Sequence, residues 1–272
     1  MNLNEIKDVC QLYNIVPTKS KGQNFLFDEN IIESIVKSAN LNKKDTVLEI
    51  GPGLGVLTDY LIKEADQVVA VELDKKIISF LHKKYQSVDN LRIIEGDILK
   101  LDVDSLGLQG AYKIVANLPY NITSNFIRTF LEADNPPVDM TIMIQKEVAQ
   151  RIIAQVGDMS LLSLAVQFYA EPKILFPVSH NSFWPAPKVD SAVINLKLKP
   201  KPAFDNPKLF FKVAKIGFSA KRKQLHNNLA NGLHIASGLV KSILSDIGLN
   251  EKIRAQDLSI NDWIKLIKKL DL

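Results

Sequence analysis

A parallel α/β sheet followed by a small helical domain is the architecture this sequence predicts, and three observations predict it. The runs TVLEI (46–50), VVAVE (68–72), LRIIE (91–95), YKIVA (112–116) and TIMIQ (141–145) are short, apolar and rich in β-branched residues, as strands buried on both faces of a parallel sheet must be. Helical periodicities separate them, at 28–39, about 56–64, 75–85, 123–132 and 146–155, and strand–helix alternation is the mark of βαβ units. The third observation is a break. KPKPAFDNP (199–207) carries three prolines and no periodicity, and beyond it 207–219, 221–231, 237–247 and 260–270 read as short helices. The expected domains are therefore 1–200 and 205–272. Two late apolar runs, KILFPV (173–178) and AVINLKL (192–198), have no good helix between them and could add an antiparallel hairpin at the sheet edge.

Composition narrows the class. With 272 residues, 46% apolar and 24% charged, the chain has ordinary globular balance. No apolar stretch approaches the roughly 20 residues that span a bilayer. The N-terminal segment carries Glu5 and Asp8 and lacks the unbroken apolar core of a secretory signal. A single cysteine, Cys10, excludes an internal disulfide and a multi-cysteine metal site, and a reducing cytoplasm is the expected compartment. The net charge of +4 is uneven: residues 197–272 carry +9 and residues 1–196 carry −5. A basic end on a mildly acidic body fits a polyanionic partner, and fits equally a solvated lysine-rich surface.

The first strand runs into EIGPGLGVLT (49–58) and opens a helix. Gly51, Gly53 and Gly55 permit a tight turn and close approach of backbone to a ligand, at the carboxyl end of a strand, where doubly wound sheets bind ligands. A plain turn is the alternative reading of a glycine triplet alone. The second strand ends in AVELD, with Glu72 at the distance where dinucleotide folds place a ribose-binding acid. The loop spacing is G-x-G-x-G rather than G-x-G-x-x-G, which suits a nucleoside ligand without a pyrophosphate, S-adenosylmethionine being the obvious one. Glu49 is placed to sense its cationic end or to organise the loop. Asp97, in EGDIL after the third strand, can accept from an adenine amino group or serve as a turn acid.

The fourth strand runs into NLPY (117–120). An [N/D]-P-P-[Y/F]-like turn at this place is the signature of methyltransferases acting on amino groups attached to planar systems, and here leucine fills the second position. With GQNFL (22–26), EIGPGLGVLT, AVELD, GDIL (96–99), NLPYNI (117–122), FWPAPKVDSAV (183–193), AKRKQLHNNL (220–229) and RAQDLS (254–259) in order, the chain resembles the KsgA family of small-subunit ribosomal RNA adenine dimethyltransferases. The resemblance covers almost the whole chain. It implies a Rossmann-like class I methyltransferase fold with a mostly parallel seven-stranded sheet, and a small all-helical, basic domain that binds RNA. It also implies a cofactor site in which Asn24 and Leu26 cover S-adenosylmethionine, Gly51 touches its methionine portion, Glu72 binds the ribose, Asp97 the adenine, and Asn117 sits where cofactor and target base meet. The implied substrate is a pair of adjacent adenines in a terminal hairpin loop of an assembling 30S-type subunit, each receiving two methyl groups from a monomeric enzyme. Where the family often has Tyr-Gly before AVQFY, this chain has Met159 and Ser160, a departure expected to touch local geometry.

The chemistry explains the turn. An adenine amino nitrogen is a poor nucleophile because its lone pair is delocalised into the ring. Acceptors aimed at its hydrogens favour localisation. The Asn117 side-chain oxygen can supply one. The Leu118 carbonyl can supply another, since Pro119 restrains the preceding residue to an extended shape and carries no competing N–H. Tyr120 offers a ring for stacking, worth roughly 1–3 kcal/mol per base. The base must leave its stack to be presented. By family match Phe183 is the second pocket aromatic, with packing against the sheet as its alternative and as the expected role of Trp184. Lys188, Lys221, Arg222 and Lys223 are candidate phosphate contacts, with solvated surface as the plainer reading. The histidines (82, 180, 226, 234) do not cluster, and no metal is expected. Two other readings compete: an Erm-type large-subunit rRNA methyltransferase, and an assembly or transcription factor that kept the fold without the catalysis.

Overall fold

In the computed structural model, residues 1–18, 22–108 and 110–271 are described. The chain runs α1 (Leu3–Leu12), β1 (Phe25–Leu26), α2 (Glu29–Ser38), β2 (Thr46–Ile50), α3 (Thr58–Glu64), β3 (Gln67–Glu72), α4 (Lys75–Lys84), β4 (Leu91–Glu95), β5 (Tyr112–Asn117) and α5 (Thr123–Leu131). It continues through β6 (Asp139–Gln145), α6 (Lys146–Ile152), α7 (Leu161–Tyr169), β7 (Ala170–Val178), β8 (Phe183–Trp184) and β9 (Ser191–Leu198). Four helices follow: α8 (Pro207–Gly217), α9 (Leu225–Leu233), α10 (Ser237–Asp246) and α11 (Ile260–Leu270).

Seven strands form one sheet in the order β4-β3-β2-β5-β6-β9-β7. The pairs β2–β3, β3–β4, β2–β5 and β5–β6 are parallel, and β6–β9 is antiparallel. The carboxyl ends of β2, β3, β4, β5 and β6 therefore share one edge. The chain goes outward from β2 to β4 and then returns to β5 on the other side of β2. The crevice at that reversal is where open α/β sheets bind ligands.

The two late strands add to one edge of the sheet as neighbours, β9 running antiparallel to β6, in line with the expected edge hairpin. β9 lies inside the sheet, between β6 and β7. Its composition explains this: Ala192, Val193, Ile194 and Leu196 are almost completely buried, so both faces of the strand need cover. β7, with its mixed exposure, takes the edge. A second sheet pairs β1 with β8, setting Leu26 opposite Phe183 and Phe25 opposite Trp184. Trp184 packs partly buried against the cluster of Ile6, Leu54, Phe80 and Tyr85.

Two compact units result: Met1–Ala149 with Pro172–Leu198, and Gln150–Glu171 with Lys199–Leu272. The chain enters the second unit twice, first at Gln150–Glu171 and again from Lys199 onward. Residues 150–171 join the helical unit because Met159, Leu164 and Phe168 are buried with Phe210, Val213, Leu225 and Trp263. The Phe168 and Phe210 ring centroids lie 4.5 Å apart. Ser160 caps α7, accepting from the Ser163 N–H while the Ser163 hydroxyl answers back. The Met159-Ser160 departure thus supplies a core side chain and a helix cap.

AKRK does not open a helix. α9 starts at Leu225, and residues 220–223 form the turn before it, with Lys221, Arg222 and Lys223 exposed. The buried Asn228 amide shapes this turn by donating to the carbonyls of Gly217 (2.6 Å) and Ala220 (3.1 Å). His226 is buried between Ser237 and Gln224, its ring nitrogens 2.8 Å from each partner. Among the described residues no helix is long and apolar enough to cross a membrane.

Candidate active site

Several loops line one cavity at the carboxyl edge of the sheet: 22–26, 49–54 with 56–57, 71–73, 96–98 and 117–122, with Phe183. The glycine loop comes first. Gly51, Gly53 and Gly55 have φ of +64°, +55° and +76°, left-handed values that side chains with a Cβ rarely adopt. The Gly51 N–H donates to the Val71 carbonyl at 2.9 Å, tying the loop to β3. A Cβ on Gly53 would lie 3.2 Å from the Phe25 ring, so the absent side chain lets the segment at 22–26 close over the loop.

Three carboxyls stand around it. Glu49 is 1% exposed and accepts from the Thr58 hydroxyl at 2.7 Å. Burial pushes its pKa up to about 8. Glu72 accepts from three backbone N–H groups: Leu73 (2.8 Å), Asp74 (2.9 Å) and Gly53 (3.3 Å). Burial raises its pKa, and those three donors oppose the rise. Asp97 accepts from the Leu99 N–H at 3.1 Å and lies 3.6 Å from the Lys100 ammonium. It is a turn acid and a cavity-lining residue at once.

The NLPY turn is fixed from both ends. Asn117 closes β5 opposite Met143, and the next N–H, of Leu118, donates to the Met143 carbonyl at 3.1 Å. The Leu118 side chain is buried. The Pro119 carbonyl accepts from the Ile122 N–H (3.2 Å) and the Thr123 hydroxyl (3.3 Å). The Tyr120 hydroxyl meets the Ser191 hydroxyl at 2.7 Å, and burial raises the phenol's pKa. The β1–β8 ribbon brings Phe183, 3% exposed, to the same cavity.

The chain matches the ribosomal RNA adenine dimethylase family over residues 17–272. The chain belongs to that family. It is 42% identical over 265 residues to the Ribosomal RNA small subunit methyltransferase A of Dehalococcoides mccartyi, covering 96% of this chain and 91% of that one. To the protein of the same name from Clostridioides difficile it is 40% identical over 268 residues, covering 96% and 93%. Among solved structures, a dimethyladenosine transferase from Plasmodium falciparum superposes with a TM-score of 0.80 at 28% identity, covering 91% of this chain and 97% of that one. The 23S rRNA methyltransferase ErmE superposes at 0.73 and 26% identity, covering 92% and 100%. The expected fold class, with its mostly parallel seven-stranded sheet, is the one observed.

In this adenine dimethylase the cavity gathers Asn24, Leu26, Gly51, Glu72, Asp97, Asn117, Leu118, Pro119, Tyr120 and Phe183 from the sequence reading. It does not gather Lys188, which is exposed and outside the lining. Lys221, Arg222 and Lys223 belong to the second unit. Two supporting residues escaped the sequence reading. Gln23 accepts from the Thr18 N–H at 2.9 Å and donates to Asp74 at 3.1 Å, fastening the 22–26 segment beside the Glu72 loop. Its signal was its place in GQNFL. Ser191, which holds Tyr120, gave no signal, because nothing local marks a strand serine as the partner of a distant tyrosine.

Proposed function

We propose that this chain dimethylates two adjacent adenines in a hairpin loop of small-subunit rRNA, using the residues of this cavity in the roles given below. The enzyme is an S-adenosylmethionine-dependent rRNA adenine dimethyltransferase. The observation that carries the reading is the junction of the NLPY turn with the glycine loop and Glu72 on one cavity, with two aromatic residues, Tyr120 and Phe183, beside them.

The donor set fits the cofactor. An ionised carboxylate has roughly four lone-pair directions, and Glu72 uses three on backbone donors. A place is left for a ribose hydroxyl. Asp97 would take the adenine amino group, Gly51 the methionine portion, and Asn24 and Leu26 would cover the site. When bound, S-adenosylmethionine supplies an electrophilic methyl group on a sulfonium. Asn117 and the Leu118 carbonyl accept from the target amino group and favour a localised lone pair. Tyr120 and Phe183 flank the unstacked base. The proton lost after transfer can pass to water, since the nitrogen becomes acidic once methylated, so no strong general base is needed. Alignment of nitrogen, methyl and sulfur supplies much of the rest.

Lys188 and the exposed Lys221, Arg222 and Lys223 track RNA phosphates in this reading, the second unit serving as the RNA-binding domain of a monomeric, cytoplasmic enzyme without a resident metal that acts on an assembling subunit. The large-subunit reading, an Erm-type activity, is weighed against by 40–43% identity to small-subunit enzymes, compared with 26% to ErmE. Methylation of purified small and large subunits separately decides. Label is expected on the small subunit, and label confined to the large subunit overturns the proposal.

A further inference from the structure

We infer that Lys84 and Tyr85, at the C-terminal end of α4, form a clamp on the glycine loop that sets its geometry and so tunes cofactor affinity. Neither residue lines the cavity, so both act as positioning residues. The inference rests on reading the 51–55 loop as the cofactor cradle.

The clamp is specific in its bonding. The Lys84 ammonium has three N–H donors and three acceptors around it: Asp59 at 2.7 Å, the Leu54 carbonyl at 3.2 Å and the Gly55 carbonyl at 3.3 Å. The Tyr85 hydroxyl is 2.8 Å from the Gly55 carbonyl and 2.8 Å from the Asp59 carboxylate. The lysine also sits 4.9 Å from the Tyr85 ring centroid, within cation–π range. Tyr85 is 7% exposed, and burial raises its pKa, so the phenol remains a protonated donor.

Gly55 records the close approach. A Cβ there would fall 2.3 Å from the Tyr85 hydroxyl, so the third glycine is required by its φ and by the tyrosine behind it. Lys83 shows what a lysine at this helix end otherwise does: it is exposed to solvent.

The loop is therefore gripped at two places. At one, Gly53 donates to Glu72, the ribose acid of the proposed function. At the other, Lys84 and Tyr85 hold the next two carbonyls. Releasing the second grip lets the loop move relative to Glu72, which changes cofactor binding and leaves the RNA surface alone.

The test compares Tyr85→Phe, Lys84→Met and the control Lys83→Met by calorimetry with S-adenosylhomocysteine and by steady-state kinetics in both substrates. In each clamp variant the Kd for S-adenosylhomocysteine and the KM for S-adenosylmethionine are expected to rise about tenfold, the effect of losing a hydrogen bond from a charged or buried donor. The KM for RNA and the kcat at saturating cofactor should stay within about twofold, and Lys83→Met should match wild type. Thermal melting reads the folded state; if Tyr85→Phe does not fold, Lys84→Met, which keeps the aliphatic stem, carries the test. Clamp variants that melt earlier yet bind S-adenosylhomocysteine like wild type overturn the inference, as do equal losses in both KM values. A wild-type protein that fails to bind S-adenosylhomocysteine contradicts the cofactor cradle itself.

Discussion

Glu49 shows how burial and a glycine loop act on one carboxyl. Its ordinary pKa of 4.5 rises to about 8 because its charge is desolvated. The folded chain therefore holds this proton more tightly than the unfolded chain. The stabilisation it gives is complete below pH 4.5 and is lost as pH rises through about 8. Glu49→Gln should flatten the part of the stability–pH slope that falls in this window, as read by denaturant melts at pH 5, 6, 7 and 8. An unchanged slope would show that Glu49 does not titrate there. Glu49 also lines the cavity. If it faces the cationic end of the cofactor, binding near pH 7 favours its ionised form and releases a proton. Calorimetry in buffers of different ionisation enthalpy should detect that release in wild type and lose it in Glu49→Gln. Equal proton counts in the two proteins would remove Glu49 from the cofactor's neighbourhood.

At the scale of elements, α7 carries the clearest prediction. Phe168 is completely buried among Phe210, Phe211 and Tyr169. Phe168→Ala should cost about 3–5 kcal/mol, the usual price of a large core cavity, measurable as a lower denaturant midpoint. A loss under about 1 kcal/mol would contradict the place given to α7 in the helical unit's core. What was legible in the sequence follows from locality. The βα loops with Gly51, Glu72, Asp97 and Asn117 each sit where a strand ends, and strand ends can be read from apolar runs. The segment 150–171 could not be assigned this way, because its core partners lie beyond the proline linker. The two-residue strands β1 and β8 are too short to carry a pattern, so the pairing of Leu26 with Phe183 is visible only in the fold. α1 carries a local signal in the Asn2–Glu5 capping box.

For the whole molecule, the charge asymmetry becomes an experiment. The body of residues 1–196 is −5 and residues 197–272 are +9. Reversing Lys221, Arg222 and Lys223 to glutamate should weaken RNA binding and reduce the magnitude of its log–log salt slope by about two to three. The KM for S-adenosylmethionine should be untouched. An RNA affinity and salt slope equal to wild type would leave this turn as plain solvated surface and move the phosphate contacts elsewhere.

In the proposed mechanism the NLPY turn presents one adenine amino group at a time to a methyl donor held by the glycine loop and Glu72. Mass spectrometry of small-subunit rRNA after reaction with wild type and with Asn117→Ala tests it most directly. Dimethyladenosine at two adjacent positions is expected with wild type. Removing one acceptor in the transition state is expected to lower the rate by about 10²–10³-fold in Asn117→Ala. Undiminished dimethyladenosine from Asn117→Ala would contradict the account.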